Sequence, residues 1–180
     1  MNWSLRRAQD KDIAAIAELI PLSVRGLQAN YYSDAQVEAA LGSVFGVDRQ
    51  LIRDGTYFVV EAGTPPCLVG CGGWSKRRTL FGSDHHGATR DDAELDPARE
   101  PARIRAFFVH PEWARRGIAR AILQECEAAL RAAGFRSIEL AATLPGVPFY
   151  RALGYASEEE REVPLPARLS LTVTRMTKSL

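Results

Sequence analysis

Residues 103–134 read RIRAFFVHPEWARRGIARAILQECEAALRAAG, and this stretch decides the fold. The apolar and aromatic run at residues 104–109 has the length of a β-strand, and Pro111 ends it because proline has no amide hydrogen for a strand ladder. From Ile118 onward, apolar residues recur at steps of three and four until Gly134, which predicts an amphipathic helix that ends at the glycine. The sequence therefore predicts a strand that leads into a long helix.

The turn between this strand and this helix, residues 114–119, reads Ala-Arg-Arg-Gly-Ile-Ala and is small and basic. The first amides of a helix have no intrahelical partner and lie at the positive end of its dipole, so they can bind an anion. Gly117 and Ala119 leave room for a pyrophosphate, and three arginines add positive charge around it. Neither Gly-x-Gly-x-x-Gly nor Gly-Lys-Ser/Thr follows the strand, so the two commonest phosphate-binding fingerprints are absent here.

The segment resembles the acyl-CoA site of the GNAT superfamily of N-acyltransferases. In that family a strand ends in Val-x-Pro, and Arg/Gln-x-x-Gly-x-Gly/Ala opens a long helix. Here Val109-His110-Pro111 ends the strand, and the second motif departs only at Ala114, which replaces the Arg/Gln side chain. Downstream, residues 149–155 read Phe-Tyr-Arg-Ala-Leu-Gly-Tyr, similar to the family's Phe-Tyr-x-x-x-Gly-Phe/Tyr. The two motifs occur in the family's order.

This resemblance implies an α/β fold with a mixed, mostly antiparallel sheet, a splayed parallel pair of strands in its centre and helices on both faces. The splayed strands would be residues 104–109 and 137–141, with the pantetheine arm of acetyl-CoA, the implied co-substrate, between them. Main-chain groups of Phe108 and Val109 would contact the pantetheine, and Thr143 stands where relatives often place a cofactor-binding asparagine. The pyrophosphate would be held by Arg115, Arg116, Gly117, Ile118, Ala119 and Arg120.

The reaction implied is attack of a neutral primary amine on the thioester, with the coenzyme A thiolate as leaving group. Tyr150 occupies the family's proton-donor position, and its alternative role is that of a packing tyrosine. An alkylamine has a pKa near 10, so a base or a water relay must take its proton. Some relatives place a glutamate where this chain has Arg103. The base therefore stays open between a water chain and Glu61, Glu94 or Glu100.

Three residues are candidates for binding the acceptor substrate. Arg105 would favour a carboxylate-bearing amine if it faced the cleft, but it could equally pair with an acidic side chain. Trp74 could line the pocket or belong to the core, and Tyr31 could lie in the acceptor wall or on the surface between two helices. The sequence does not decide between these alternatives.

Composition limits the class of protein further. A chain of 180 residues with 46% apolar content suits one domain, residues 1–180, and a net charge of +1 favours neither a nucleic-acid surface nor a polyanionic tail. No apolar run approaches membrane-span length, and the N-terminal residues lack a signal-peptide core. Three cysteines at these spacings predict no disulfide or zinc framework. We therefore expect a soluble, cytoplasmic protein.

Residues 76–101 form a long polar connection with almost no apolar periodicity. Such loops are usually lids, interface arms or solvated segments. The segment contains residues that invite a metal hypothesis, namely Asp84, His85, His86, Asp91 and Asp92. Adjacent histidines do not easily face one ion and no regular spacing fixes the carboxylates, so no metal site is predicted.

The remaining pattern predicts a strand, two helices and two further strands before the central unit, then a strand, a short helix and two strands after it. The first helix is kinked or ended by Pro21, the second covers residues 34–44, and a short third helix covers residues 48–54. Gly70, Gly72 and Gly73 predict a bulge or a close approach within their strand, at residues 67–75.

The leading functional prediction is an acetyl-CoA-dependent N-acetyltransferase acting on a small-molecule amine in a ternary complex. Transfer of a longer acyl chain or to a protein amine is the second, and an acyl-CoA-binding sensor without turnover is the third. Homodimers are common among similar proteins, but no residue here establishes one. The acceptor, the base and the role of the long loop are left open by the sequence.

Overall fold

The computed structural model describes residues 3–80 and 91–180, which form one seven-stranded sheet with strand order β1-β2-β3-β4-β5-β7-β6. The strands are β1 Trp3–Arg7, β2 Tyr57–Ala62, β3 Cys67–Ser75, β4 Ala102–Val109, β5 Ser137–Thr143, β6 Ala156–Pro164 and β7 Ser170–Ser179. The helices are α1 Ile13–Gln28, α2 Asp34–Leu41, α3 Arg49–Arg53, α4 Ile118–Ala132 and α5 Val147–Arg151. Of the strand pairs in the described residues, only β4 and β5 run parallel.

The sheet separates two hydrophobic cores because side chains alternate along each strand. On β2, Phe58 and Val60 pack with α4 on one face, whereas Tyr57 and Val59 pack with α1, α2 and α3 on the other. Strand β2 is buried on both faces, as its continuous apolar sequence indicates. The predicted mixed sheet with helices on both faces is confirmed.

Helix α1 is longer than the sequence pattern indicated. It continues through Pro21 to Gln28, although the proline was expected to kink or end it. Proline removes one amide donor from the helix, and burial of Ile16, Ile20 and Val24 in the core holds the helix together across it. This extension carries the end of α1 across the cleft described below.

Helix α2 is shorter than predicted. It begins at the expected cap, Ser33, whose hydroxyl accepts a hydrogen bond from the Gln36 amide, but it ends at Leu41 rather than near residue 44. The amides of Val44 and Phe45 still bond back to a carbonyl in the helix. The chain therefore leaves α2 in a tight turn that lies close to the cleft.

The glycines of β3 mark close approaches, as predicted. A Cβ at Gly70 would lie 2.5 Å from the Ile118 side chain, and one at Gly72 would lie 2.6 Å from the Phe107 ring. The pairing of β3 with β4 also shifts register between Cys71 and Gly73. Both α4 and a β4 side chain therefore lie directly against the β3 backbone.

The two ends of the long connection are held near α3. Arg77 bridges to Glu94 and forms an ion pair with Asp54 at 2.8 Å. Among residues 3–80 and 91–180, no group of three or more histidine, cysteine or carboxylate side chains could hold a metal ion. Asp84, His85 and His86 lie outside the described residues. Within the part of the chain that is described, no helix has the length and apolarity to cross a membrane.

Candidate active site

Strands β4 and β5 separate after two residue pairs. They pair at Ala102–Ile138 and Arg103–Glu139, after which β4 follows β3 and β5 follows β7. At the point of separation, the buried Glu139 carboxylate accepts hydrogen bonds from both Arg103 and Arg175. A cavity of about 970 Å³ lies beyond it, between the diverging strands. The predicted splayed pair is confirmed.

The β4 backbone is bulged beside this cavity. Ala106 has φ +55°, and its carbonyl accepts a hydrogen bond from the buried Tyr57 hydroxyl at 2.9 Å. Phe107 and Phe108 then turn to opposite faces of the sheet and line the cavity. The Val109 amide donates to Ser23 Oγ at 3.0 Å, so a contact from Val109 to a pantetheine would come from its carbonyl.

The turn before α4 forms one end of the cavity. Arg115 and Gly117 adopt φ values of +63° and +83°, and the N-cap residue, Gly117, has no side chain that could cap the helix that begins at Ile118. A Cβ at Gly117 would contact nothing within 4 Å, so the backbone conformation, rather than lack of space, favours glycine there. The Arg116 guanidinium lies 4.8 Å above the Trp113 ring. The turn therefore presents uncapped amides with exposed arginines around them.

The predicted cofactor-binding residues mostly border this cavity. Phe108 and Val109 line it from β4, and Thr143 lines it from the end of β5. The residues of the turn and the first turn of α4 that line it are Arg115, Gly117, Ile118, Ala119 and Arg120. The structure therefore brings strand, turn and helix residues to one cleft.

Tyr150 lines the cavity from α5 and is buried. Its ring makes edge contacts with Phe107, Phe149 and Tyr155, with ring centroids 5.0–6.4 Å apart. Burial, together with the nearby Cys126, raises the pKa of the Tyr150 phenol above its ordinary value. The phenol is therefore protonated at neutral pH, as a proton donor must be.

The three predicted acceptor residues lie in different environments. Tyr31 is 51% exposed and lines the cavity. Trp74 is buried in the core against Phe135 and is not among the residues that line the cavity. Arg105 also lines the cavity, but it forms a buried ion pair with Asp48 at 2.6 Å, which is the alternative that the sequence had left open.

The three glutamates considered as bases lie elsewhere. Glu61 pairs with Arg6 at 2.5 Å, Glu94 pairs with Lys76 at 2.7 Å, and Glu100 lies 3.5 Å from Arg78. None of the three lines the cavity. Among the described residues that do line it, none is an aspartate, glutamate, lysine or histidine.

The sequence between residues 25 and 155 matches the acetyltransferase (GNAT) family. The chain belongs to this family. It is therefore an acyltransferase, and the cleft between β4 and β5 lies within the matched residues. No curated protein matches the chain in sequence.

Solved structures share this GNAT fold. A GCN5-related N-acetyltransferase from Rhodopseudomonas palustris is 21% identical, with a TM-score of 0.71 over 100% of this chain and 97% of that one. The PaiA N-acetyltransferase from Thermoplasma acidophilum, in complex with coenzyme A, is 15% identical, with a TM-score of 0.68 over the whole of both chains. A phosphinothricin acetyltransferase from Sinorhizobium meliloti, in complex with acetyl-CoA, is 20% identical, with a TM-score of 0.65 over 100% and 89%.

Sequence reasoning missed part of this GNAT cleft. Ser23, Gln28 and Phe45 line the cavity from α1 and from the turn after α2. The expectation that α1 would kink or end at Pro21 left the first two without a helical position near the cleft. The apolar spacing of Val24 after Ile20 is the sequence signal that indicates a helix continuing past Pro21.

Proposed function

We propose that this acyltransferase moves the acetyl group of acetyl-CoA to the primary amine of a small molecule, by direct attack in a ternary complex. The observation that carries the proposal is the cavity between β4 and β5, which reaches the uncapped start of α4 and is lined by Tyr150. The solved structures with the same fold that hold coenzyme A or acetyl-CoA support this choice of ligand.

The start of α4 would bind the pyrophosphate. The amides of Ile118, Ala119 and Arg120 lack intrahelical partners, and the exposed Arg115 and Arg120 side chains add positive charge at the cavity. Because main-chain donors supply most of this binding, Ala114 in place of the family's Arg/Gln removes one side-chain contact but leaves the site.

The pantetheine arm would lie between the strands. Its amides need hydrogen-bond partners once they leave water, and a strand edge without a neighbour can supply them. Beyond Arg103, β4 has no pairing with β5, so the main chain of Phe108 and Val109 borders the gap. Thr143 borders it from the opposite strand.

In the chemical step, the amine nitrogen attacks the thioester carbonyl carbon, a C–N bond forms, and the C–S bond breaks. The leaving thiolate takes a proton from the Tyr150 hydroxyl, and the amine loses one proton to solvent. Amide and coenzyme A thiol are the products, so atoms and charge balance once the phenol regains its proton from water. The enclosed phenol would hydrogen-bond to the sulfur as its charge develops.

We propose that water, rather than a carboxylate, takes the amine proton. None of the carboxylates among the described residues lines the cavity, and the three glutamates named above are ion-paired elsewhere. The nitrogen becomes much more acidic as the C–N bond forms, so a chain of water molecules is a sufficient base at that stage.

The proposal is tested with the purified chain, acetyl-CoA and a panel of small amines and peptides. Acetyl-CoA should raise the melting temperature, and coenzyme A thiol should appear only when an amine is present. Faster transfer to peptide amines than to every small amine would favour a protein acceptor. Absence of acetyl-CoA binding at millimolar concentration would contradict the proposed ligand.

We also propose that residues 1–180 act as one domain in a reducing compartment such as the cytoplasm. The described residues share one sheet, and Cys67, Cys71 and Cys126 are all free thiols. A homodimer remains a prediction, and sedimentation at several concentrations would test it.

A further inference from the structure

The side of the cavity facing α1 to α3, which we call the acceptor wall, carries no charged side chain among the described residues. Its members come from the end of α1 and from the turns on either side of α2. They are Leu27, Gln28, Tyr31, Val44, Phe45 and Gly46. Phe45 packs edge-on against Phe108 with ring centroids 6.0 Å apart, which fixes an aromatic surface beside the β4 bulge.

Among the described residues, Arg105 is the cation that borders this wall from β4, and it is already ion-paired. The side chains of Arg105 and Asp48 are 2% and 0% exposed, and their charged groups lie 2.6 Å apart. An acceptor carboxylate would have to compete with Asp48 for the guanidinium inside a buried pair. The pair therefore contributes structure to the wall without attracting a substrate anion.

Gln28 contributes a buried polar atom to the wall that lacks a partner among the described residues. Its residue is only 7% exposed, and its Oε1 is buried with no hydrogen-bond partner among the described residues. A buried carboxamide oxygen without a donor is unfavourable, so such groups generally meet a donor in the functional state. Gln28 lines the cavity, so an amine that enters beside it brings an N–H donor close to this carboxamide.

We infer that the acceptor is a primary amine on an uncharged, apolar body, and that Gln28 accepts a hydrogen bond from its N–H. This inference rests on the proposed acetyl transfer. An apolar body fits against Leu27, Val44 and Phe45, whereas a carboxylate or a second ammonium would meet no counter-charge from the described residues of this wall. A neutral carboxamide stabilises the ammonium form less than a carboxylate would, so it keeps more of the amine in the neutral form that attacks a thioester.

A matched substrate panel tests the acceptor class. Phenylethylamine, phenylalanine and a phenylethylamine with a second aminomethyl group share one aromatic body and differ in charge. We expect kcat/KM for phenylethylamine to exceed that for the other two by roughly a hundredfold, because a buried site rejects a group that it cannot pair. Coenzyme A release is the measurement.

Gln28 is a positioning residue in this inference, so its variants should change KM and the preference among the three amines. Gln28→Met keeps the length and removes the amide, and it should raise KM for phenylethylamine about tenfold with unchanged acetyl-CoA affinity. Gln28→Glu should instead shift preference toward the diamine. Gln124→Met, on the exposed side of α4, is the matched control and should change neither.

The outcomes distinguish a failure of the inferred acceptor class from a failure of the proposed acetyl transfer. If acetyl-CoA binds and phenylalanine or the diamine is the better substrate, the acceptor class is wrong while acetyl transfer stands. If acetyl-CoA binds and no amine of the panel reacts, the inference is also overturned. If acetyl-CoA does not bind at all, the proposed function fails and the inference fails with it.

Discussion

The two sides of the cleft are built by different means. The α4 side is a run of contiguous residues, 114–120, whose main chain forms the site and whose positive φ angles expose amides. The acceptor wall is assembled from side chains between residues 27 and 46, against β4 residues about 60 positions later in the chain. The comparison shows that an anion site made of backbone leaves a local sequence signature, whereas a wall made of packed side chains does not.

The same difference separates the cofactor site, which many sequences can form, from the acceptor site, which depends on the side chains of this protein. Main-chain amides can bind a pyrophosphate in any protein that forms this turn, so the sequence needs only small residues at 117 and 119 to keep the approach open. The acceptor wall depends on which side chains meet after folding, and here they meet as an apolar surface with one buried ion pair beside it. Substitutions on the two sides should therefore affect different constants.

The largest effect is expected at Tyr150, which lines the cavity from α5. Tyr150→Phe should lower kcat by about 10²- to 10³-fold with acetyl-CoA affinity nearly unchanged, because only the proton donor is lost. Burial raises the pKa of this phenol above 10, so wild-type kcat should not fall through its ionisation below that pH. Coenzyme A release over a pH series is the measurement.

Tyr155→Phe is the matched control for that experiment. Its hydroxyl is also buried, but it bonds to Glu127 at 3.1 Å, and the residue does not line the cavity. We expect lower stability with kcat retained. If both variants lost kcat equally, Tyr150 would be a packing residue and the donor would have to be sought elsewhere.

The next effect concerns the charge balance at the edge of the acceptor wall. Asp48→Asn keeps the shape of the side chain and removes the charge that balances Arg105. Loss of one partner from a buried pair should lower the free energy of unfolding by about 3 kcal/mol. The uncompensated guanidinium should also improve kcat/KM for phenylalanine relative to phenylethylamine. Urea unfolding and steady-state kinetics measure the two effects.

Asp54→Asn is the control for the Asp48 variant. Asp54 pairs with Arg77 at 2.8 Å outside the cavity, and that arginine lowers the pKa of the carboxyl. This variant should lose less stability because the pair is partly exposed, and its substrate preference should stay as in wild type. Equal preference changes in the two variants would show that global destabilisation, rather than the charge near the wall, alters selectivity.

Much of the fold could be predicted because its elements carry local signals. Strand β4 and helix α4 follow from an apolar run, a proline and a three-to-four spacing, and the close approaches on β3 follow from Gly70 and Gly72. The course of α1 was predicted wrongly, although the spacing of Val24 after Ile20 favours a longer helix. Pro21 is a local signal against a helix, and the burial of Ile20 and Val24 outweighs it only once the sheet is in place.

The candidate site, like the fold, could be predicted where a short motif marks it and could not be predicted where distant residues meet. The turn at Gly117 and the phenol at Tyr150 belong to short motifs, so their place beside the cleft was expected. The pairing of Arg105 with Asp48 joins residues far apart in sequence, and no local pattern chose it over a substrate contact. Gln28 carries no motif, and its importance appears only from an unpartnered oxygen beside a cavity.

A smaller effect is expected on the α4 side. Gly117→Val places a β-branched residue at φ +83°, a conformation that strains any L-residue, so the turn should shift and its amides should no longer converge. Acetyl-CoA affinity should fall about tenfold, equivalent to about 1.4 kcal/mol, in a calorimetric titration. Gly134→Val is the matched control, since Gly134 has φ +86° at the other end of α4. A similar affinity loss in both would assign it to the helix rather than to the turn.

The smallest effect should come from Tyr32, which ties the acceptor wall to the chain that follows β5. Its hydroxyl donates to the Thr172 carbonyl at 2.7 Å and accepts from the Leu144 amide at 2.8 Å, so it links the end of α1 to the chain that follows β5. Tyr32→Phe should lower the free energy of unfolding by about 1–2 kcal/mol and raise KM for the amine more than for acetyl-CoA. Tyr31→Phe removes an exposed hydroxyl from the neighbouring residue and should leave stability unchanged. Equal KM changes for both substrates would mean that the two sides of the cleft are one mechanical unit rather than two.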